Sequence, residues 1–155
     1  MRHVSKLFLA LCLALGLGAV AASAQIESDM TVEGNIPHAF VVRDTTLPAG
    51  KYTIKVADDT EPSLLEIRSA DGRTAVFFET EGAQPRQTPV KTELVFDKVG
   101  DTYFLSEIFV AGDETGSRLS KSRMEQRLEG KGLKAEKHSV AANTKSSKQT
   151  AKKSS

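Results

Sequence analysis

Between residues 30 and 110 the apolar positions alternate with polar ones instead of recurring every third or fourth residue, and Gly, Pro, Asp and Asn break the runs at short intervals. Short runs rich in Val, Ile, Phe and Tyr between such breaks are the pattern of an all-β fold of antiparallel strands. Strands are predicted near Met30 to Val42, Lys51 to Ala57, Ser63 to Ser69, Arg73 to Thr80, Val90 to Lys98 and Thr102 to Val110. Their spacing predicts an antiparallel β-sandwich, jelly-roll or immunoglobulin-like, over residues 25–117.

Local chemistry sharpens parts of that pattern. Pro37 interrupts the first run, so that strand is either an edge or is bent near Gly34 to Pro37. In "TLPAGKYTIKV", Pro48 presets φ, Gly50 permits the positive φ of a tight corner, and Tyr52, Ile54 and Val56 then share one sheet face. In "LLEIRSADGRTAVFFE", Asp71-Gly72 is a hairpin turn whose register sets Leu65 opposite Phe78, Glu66 opposite Phe77, Ile67 opposite Val76 and Arg68 opposite Ala75. A second hairpin turns near Val99 to Asp101 with two registers open. A three-residue loop pairs Phe96 with Phe104, and a four-residue loop pairs it with Tyr103. Because Tyr103 to Leu105 and Ile108 to Val110 are apolar on both parities, that strand is either covered on both faces or offers one to a partner.

After residue 117 the pattern changes. Ser122 with Glu125 three residues on is a capping box, and Arg123 to Glu129 is rich in helix formers, predicting one short basic helix within residues 118–130. Residues 131–155 are mostly Ala, Ser, Thr, Lys and Gln without an aromatic, a composition expected to remain a disordered basic tail. At the other end, Arg2 and Lys6 precede an uncharged apolar stretch from Leu7 to Ala22 that closes on Ala22-Ser23-Ala24. This is the grammar of a cleaved signal peptide over residues 1–24, and the stretch is short for a membrane span. The expected product is periplasmic or extracellular and has no transmembrane span. The single cysteine, Cys12, leaves with the signal, which excludes disulfides, thiol catalysis and thiolate metal sites from the mature chain.

Charge is unevenly spread. Residues 25–117 hold 17 acidic and 8 basic side chains, whereas residues 118–155 hold 11 basic and 3 acidic. The basic end makes Lys131, Lys134, Lys137, Lys145, Lys148, Lys152 and Lys153 candidates for binding an anionic envelope polymer, against the plainer reading of a solubilising tail. Without interleaved aromatics, no specific nucleic-acid partner is expected.

The residues "IPHAFVVRDTTLPAGKYTIKV", "LLEIRSADGRTAVFF", "ELVFDKVGDTYFLSEIFVAG" and "SRLSKSR" together resemble a group of small exported bacterial proteins without a settled activity. That group carries a Phe-x-Val-Val strand end, a Leu-Pro-Ala-Gly-x-Tyr corner, an Asp-Gly hairpin and a Gly-Asp-x-Tyr-Phe-Leu strand in the same order. The resemblance covers Ile36 to about Arg127 and implies an exported β-domain; His38 stands where the group has an aromatic. The corner Leu47-Pro48-x-Gly50-x-Tyr52 is also similar to one in immunoglobulin-like and prealbumin-like modules of surface proteins.

Catalytic chemistry finds little footing. His3 leaves with the signal, His138 lies in the tail and His38 stands alone in the body, so no metal ligand set and no serine-hydrolase base is expected, and no cofactor. His38 reads as a partly buried strand residue bonded to a neighbour. Asp58, Asp59, Glu61, Asp113 and Glu114 sit in predicted turns, where Asp caps its own backbone; a carboxylate hydrolase would need two of them to face each other across a pocket. The loop "ETEGAQPRQTPV" is the longest polar connection of the body and makes Arg86 a candidate binding residue, with Tyr103 and Phe109 as candidate exposed aromatics; its plainer reading is a crossover. The expected function is that of an exported, non-enzymatic binding or envelope-associated module. A glycan or peptide receptor working through the body loops is the alternative.

Overall fold

The computed structural model describes residues 30–146. The predicted signal segment and Lys148, Lys152 and Lys153 lie outside the described residues. Ten strands and one helix follow in order: β1 (Met30–Ile36), β2 (Phe40–Val42), β3 (Thr45–Leu47), β4 (Gly50–Val56), β5 (Leu64–Ser69), β6 (Ala75–Ala83), β7 (Glu93–Val99), β8 (Thr102–Phe109), β9 (Gly116–Leu119), α1 (Arg123–Gly130) and β10 (Ala135–Ser146).

The all-β class is as expected, but the sandwich is not. Neighbouring strands run β8-β7-β10-β1-β4-β5-β6-β9, and β9 pairs again with β8, closing an antiparallel barrel of eight strands. The strand that overturns the sandwich is β10, drawn from the segment expected to be a disordered tail. It pairs with β1 on one edge and β7 on the other. Its composition misleads for a physical reason: of Ala135 to Lys145 only Val140 and Ala142 are even half-buried, and the rest are exposed. Main-chain pairing on both edges holds the strand, and hydrophobic content does not register that force.

The barrel interior is filled. Val32, Ile36, Tyr52, Ile54, Leu65, Ile67, Phe78, Leu94, Phe96, Leu105, Ile108 and Leu119 form one buried cluster, joined by Phe40, Val42 and Leu47 from the β2–β3 flap. The first predicted strand is in fact two. At Pro37 the chain leaves β1, and β2 pairs in parallel with Tyr103 and Phe104 of β8, while β9 takes the same edge of β8 further on, at Glu107 and Ile108. The Asp-Gly hairpin has the predicted register at all four pairs, with Gly72 at φ 71°. The corner before β4 holds as well, since the Tyr52 hydroxyl donates to the Pro48 carbonyl at 2.8 Å. Gly50, however, is not among the positive-φ glycines, and a Cβ there would meet only Tyr52 Cε2 at 3.7 Å.

The second hairpin follows neither expected register. Val99 pairs with Thr102 and Phe96 with Leu105, and the register then shifts, so that Val95 pairs with Glu107. Ser106 is the extra residue of this bulge, and it switches parity: Leu105 and Ile108 both face the interior. The outward apolar residues of β8 are covered. Phe104 packs with Val41, Val99, Met124 and Leu128 beneath α1, and Phe109 packs with Ala83 and Val95. The helix itself is as predicted, with Ser122 as N-cap accepting from the Glu125 amide at 3.1 Å.

Two glycines with similar sequence settings are expected to respond differently. A Cβ on Gly116 would strike the Phe109 ring and come 2.8 Å from the Ile108 carbonyl oxygen, which is backbone and cannot turn aside. Gly116→Ala is expected to destabilise by about 1–3 kcal/mol, and Gly50→Ala to shift stability by less than about 1 kcal/mol. Urea unfolding of the two variants against wild type checks both.

Candidate functional site

The longest connection without a strand or helix of its own, from the end of β6 to the start of β7, skips over β9 and β8 and so must cross the outside of the wall. It is pinned where it lands. The Gly112 amide donates to the Pro89 carbonyl at 2.8 Å, and the Ala111 amide to the hydroxyl of buried Thr92 at 3.1 Å. Beneath the crossover lies a cleft of about 620 Å³. Gln84 to Gln87 and Pro89 form one side; Val95, Phe109, Glu93, Glu107, Arg118 and Lys137 from four barrel strands form the other. Its size is that of ordinary small-ligand sites, which combine an apolar floor with a few placed polar groups.

The charges of the cleft are mostly satisfied within the wall. Arg118 Nε donates to Glu107 Oε1 at 3.1 Å, and Lys137 Nζ reaches Glu107 Oε2 at 3.4 Å, Asp97 Oδ1 at 3.0 Å and Ser106 Oγ at 2.8 Å. The row Arg118, Glu107, Lys137, Asp97 thus crosses β9, β8, β10 and β7, and the Ser106 bulge aims a hydroxyl into it. Arg86, exposed on the crossover, has no ion-pair partner among the described residues.

Of the three candidate loop-binding residues, Arg86 and Phe109 line this cleft and Tyr103 does not. Tyr103 lies at the opposite end of β8, stacked on His38 at 3.6 Å between ring centroids, with His138 edge-on at 5.5 Å and Lys98 Nζ 5.5 Å from the ring. His38 is not alone, then, and not in a strand. It sits in the β1–β2 connection, also edge-on to Phe96 at 5.2 Å, with its Nδ1 buried and unpartnered. Burial first, and the charge of His138 in addition, lower its pKa, against a raising effect of the Ala39 backbone.

The lysines expected to act as one basic tail are dispersed. Lys131 is the C-cap of α1, Lys134 is exposed in the linker, Lys137 belongs to the cleft row and Lys145 pairs with Glu33 at 2.8 Å. The five turn carboxylates do not line the cleft. Asp58 accepts from the Thr60 amide and hydroxyl at 2.8 and 2.7 Å, an Asx turn, and those bonds lower its pKa. Among the described residues no group of three or more His, Cys, Asp and Glu is placed to hold a metal ion, and no helix is long and apolar enough to cross a membrane.

Sequence reasoning missed Glu107 and Arg118, cross-strand partners on β8 and β9, and singled out Lys137 only as a tail lysine; Lys137 joins them because β10 completes the wall. It also missed the second role of Glu125. As the fourth residue of the capping box it donates its amide to Ser122, but its carboxyl is buried against the barrel with Oε1 unpartnered. Burial, then the nearby Asp97 charge, push its pKa up to about 6, with Lys121 opposing. The unfolded chain releases this proton near 4.5 and the folded one near 6, so protonation favours folding and stability falls as pH rises between those values. Glu125→Gln is expected to match wild type near pH 4 and to exceed its stability near pH 7.5 by roughly 1–2 kcal/mol. Chemical denaturation at the two pH values checks the sign.

Comparison of the chain with protein-family models, with curated proteins and with solved structures gives no match, so the argument for function rests on the cleft itself.

Proposed function

We propose that this chain is an exported, non-enzymatic binding protein whose ligand seat is the cleft under the β6–β7 crossover, and that the ligand is a short peptide segment bearing a carboxylate. The observation that carries the reading is the free guanidinium of Arg86 on the rim of a cleft whose other cations, Arg118 and Lys137, are already paired with acids of the wall. An arginine so placed offers a bidentate donor to a carboxylate. Val95 and Phe109 supply the apolar floor. A peptide suits that floor better than a sugar ring does, because Phe109 is 9% exposed and packed over Gly116, leaving no open aromatic face for stacking. Pro85 and Pro89 stiffen the opposite side at low entropic cost. Export is supported by the signal-like first 24 residues.

Tethering by a basic tail is the less favoured reading, since Lys137 and Lys145 are held by wall carboxylates. Deleting residues 118–155 does not test it, because β10, the helix and half of β9 would go with the tail. The discriminating measurement is fluorescence polarisation with a labelled pool of short acidic peptides and the same pool with its carboxylates amidated. Wild type is expected to prefer the acidic pool, and Arg86→Glu to weaken binding by about tenfold or more, the scale of one charge-assisted hydrogen bond. Equal binding by Arg86→Glu, or equal binding of the amidated pool, would overturn the assignment.

A further inference from the structure

The wall of the barrel is unevenly bound together. Strand β7 buries Leu94, Val95, Phe96, Asp97 and Val99, and β1 buries Val32, Gly34 and Ile36, whereas β10 between them buries none of the described side chains. What retains β10 is its main-chain ladder to both neighbours, together with the Lys137 and Lys145 ion pairs. If β10 lifts out, β1 and β7 are left as two facing strand edges with unpaired amides and carbonyls, an arrangement that recruits another strand. Of the apolar side chains of β10 only Val140 and Ala142, both partly buried, pack against the core and oppose that departure.

The slot is selective about what fills it. On the outside it presents Glu33 on β1 and Asp97 and Glu107 on β7 and β8, which take the amines of Lys145 and Lys137, eight positions apart on one face of the strand. On the inside, Ala142 lies opposite Gly34, and the Leu94 side chain fills the space a Cβ on Gly34 would occupy. A large inward residue at position 142 has no room. The slot therefore requires a small inward residue opposite Gly34 and lysines outward at that spacing, which β10 supplies as Ala142, Lys137 and Lys145. From these features we infer that the slot between β1 and β7 is an interaction surface for a second copy of this chain, which enters with its own β10.

The connection permits this exchange. Residues 131–134 between α1 and β10 include Gly132 at φ 89°, and all four are exposed, so the linker can open into an extended segment without uncovering core. The helix stays behind on its own barrel, held by Met124 and Leu128. Each barrel of the exchanged pair regains the ladder and ion pairs it had alone, so the equilibrium is set by concentration.

The test uses the chain from Gln25 onward, which has no cysteine, with cysteines placed at the cross-strand pair Glu93 and Ala141. Chains carrying only Glu93→Cys are mixed with chains carrying only Ala141→Cys in a thiol-disulfide buffer, and covalent dimer is read on a non-reducing gel. The inference expects a heterodisulfide that increases with total concentration and exceeds several-fold that of a control pairing Lys55→Cys with Ala141→Cys, Lys55 being two strands away from β10. The double variant Glu93→Cys/Ala141→Cys, when dilute, is expected to close within one chain. Closure of the dilute double variant together with a mixture no better than the control overturns the inference, and so does failure of the double variant to close. An extended peptide with the β10 sequence, added in excess, is expected to suppress the heterodisulfide by filling the slot, and a heterodisulfide unaffected by it overturns the inference.

Discussion

One extra residue in β8 fixes what the outside of this protein can do. At the Ser106 bulge the strand changes parity, and without that change the residues beyond it would present their opposite sides. Leu105 and Ile108 both reach the interior, Glu107 and Phe109 both reach the outer surface, and the Ser106 hydroxyl reaches Lys137. The cleft floor, the charge row across the wall and the filled interior thus share a single cause in backbone register. The cover on each side of β8 is consistent with it: α1 shields Phe104 before the bulge, and the β6–β7 crossover shields Phe109 after it.

Electrostatics on this wall works by pairing, with one exception. Glu107 is shared by Arg118 and Lys137, and Asp97 is held by Lys137, so the four charges along the row neutralise one another in a partly shielded setting where the pairs gain over fully solvated ones. Glu125 lies near Asp97 without such a partner for its Oε1, and its raised pKa is the consequence of a capping residue being made to serve as packing as well. The helix accepts this cost because Met124 and Leu128 dock on Val41, Val99 and Phe104.

The parts legible in the sequence were those written in short-range chemistry. The hairpin joining Leu65 to Phe78 follows from Asp71-Gly72 and strict alternation, and the helix follows from Ser122 and Glu125. Arg86 and Phe109 could be singled out from a long polar loop and an apolar strand, but not their meeting in one cleft. Barrel closure was illegible for a specific reason: β10 is recognised by its neighbours through amides and carbonyls, which every residue carries, and its side chains read as a soluble tail. Ser106 was invisible because a bulge residue needs no special side chain, and Tyr103 seemed an exposed aromatic because its neighbour His38 comes from a connection more than sixty residues earlier.

Closure by the last strand also orders the protein in time. The barrel is completed by pairs such as Thr31 with Lys145, contacts between nearly opposite ends of the described chain. Such pairings carry the largest loop-closure entropy and the slowest formation, and they cannot begin until the final segment has been made. A chain with this topology remains open and threadable throughout its synthesis.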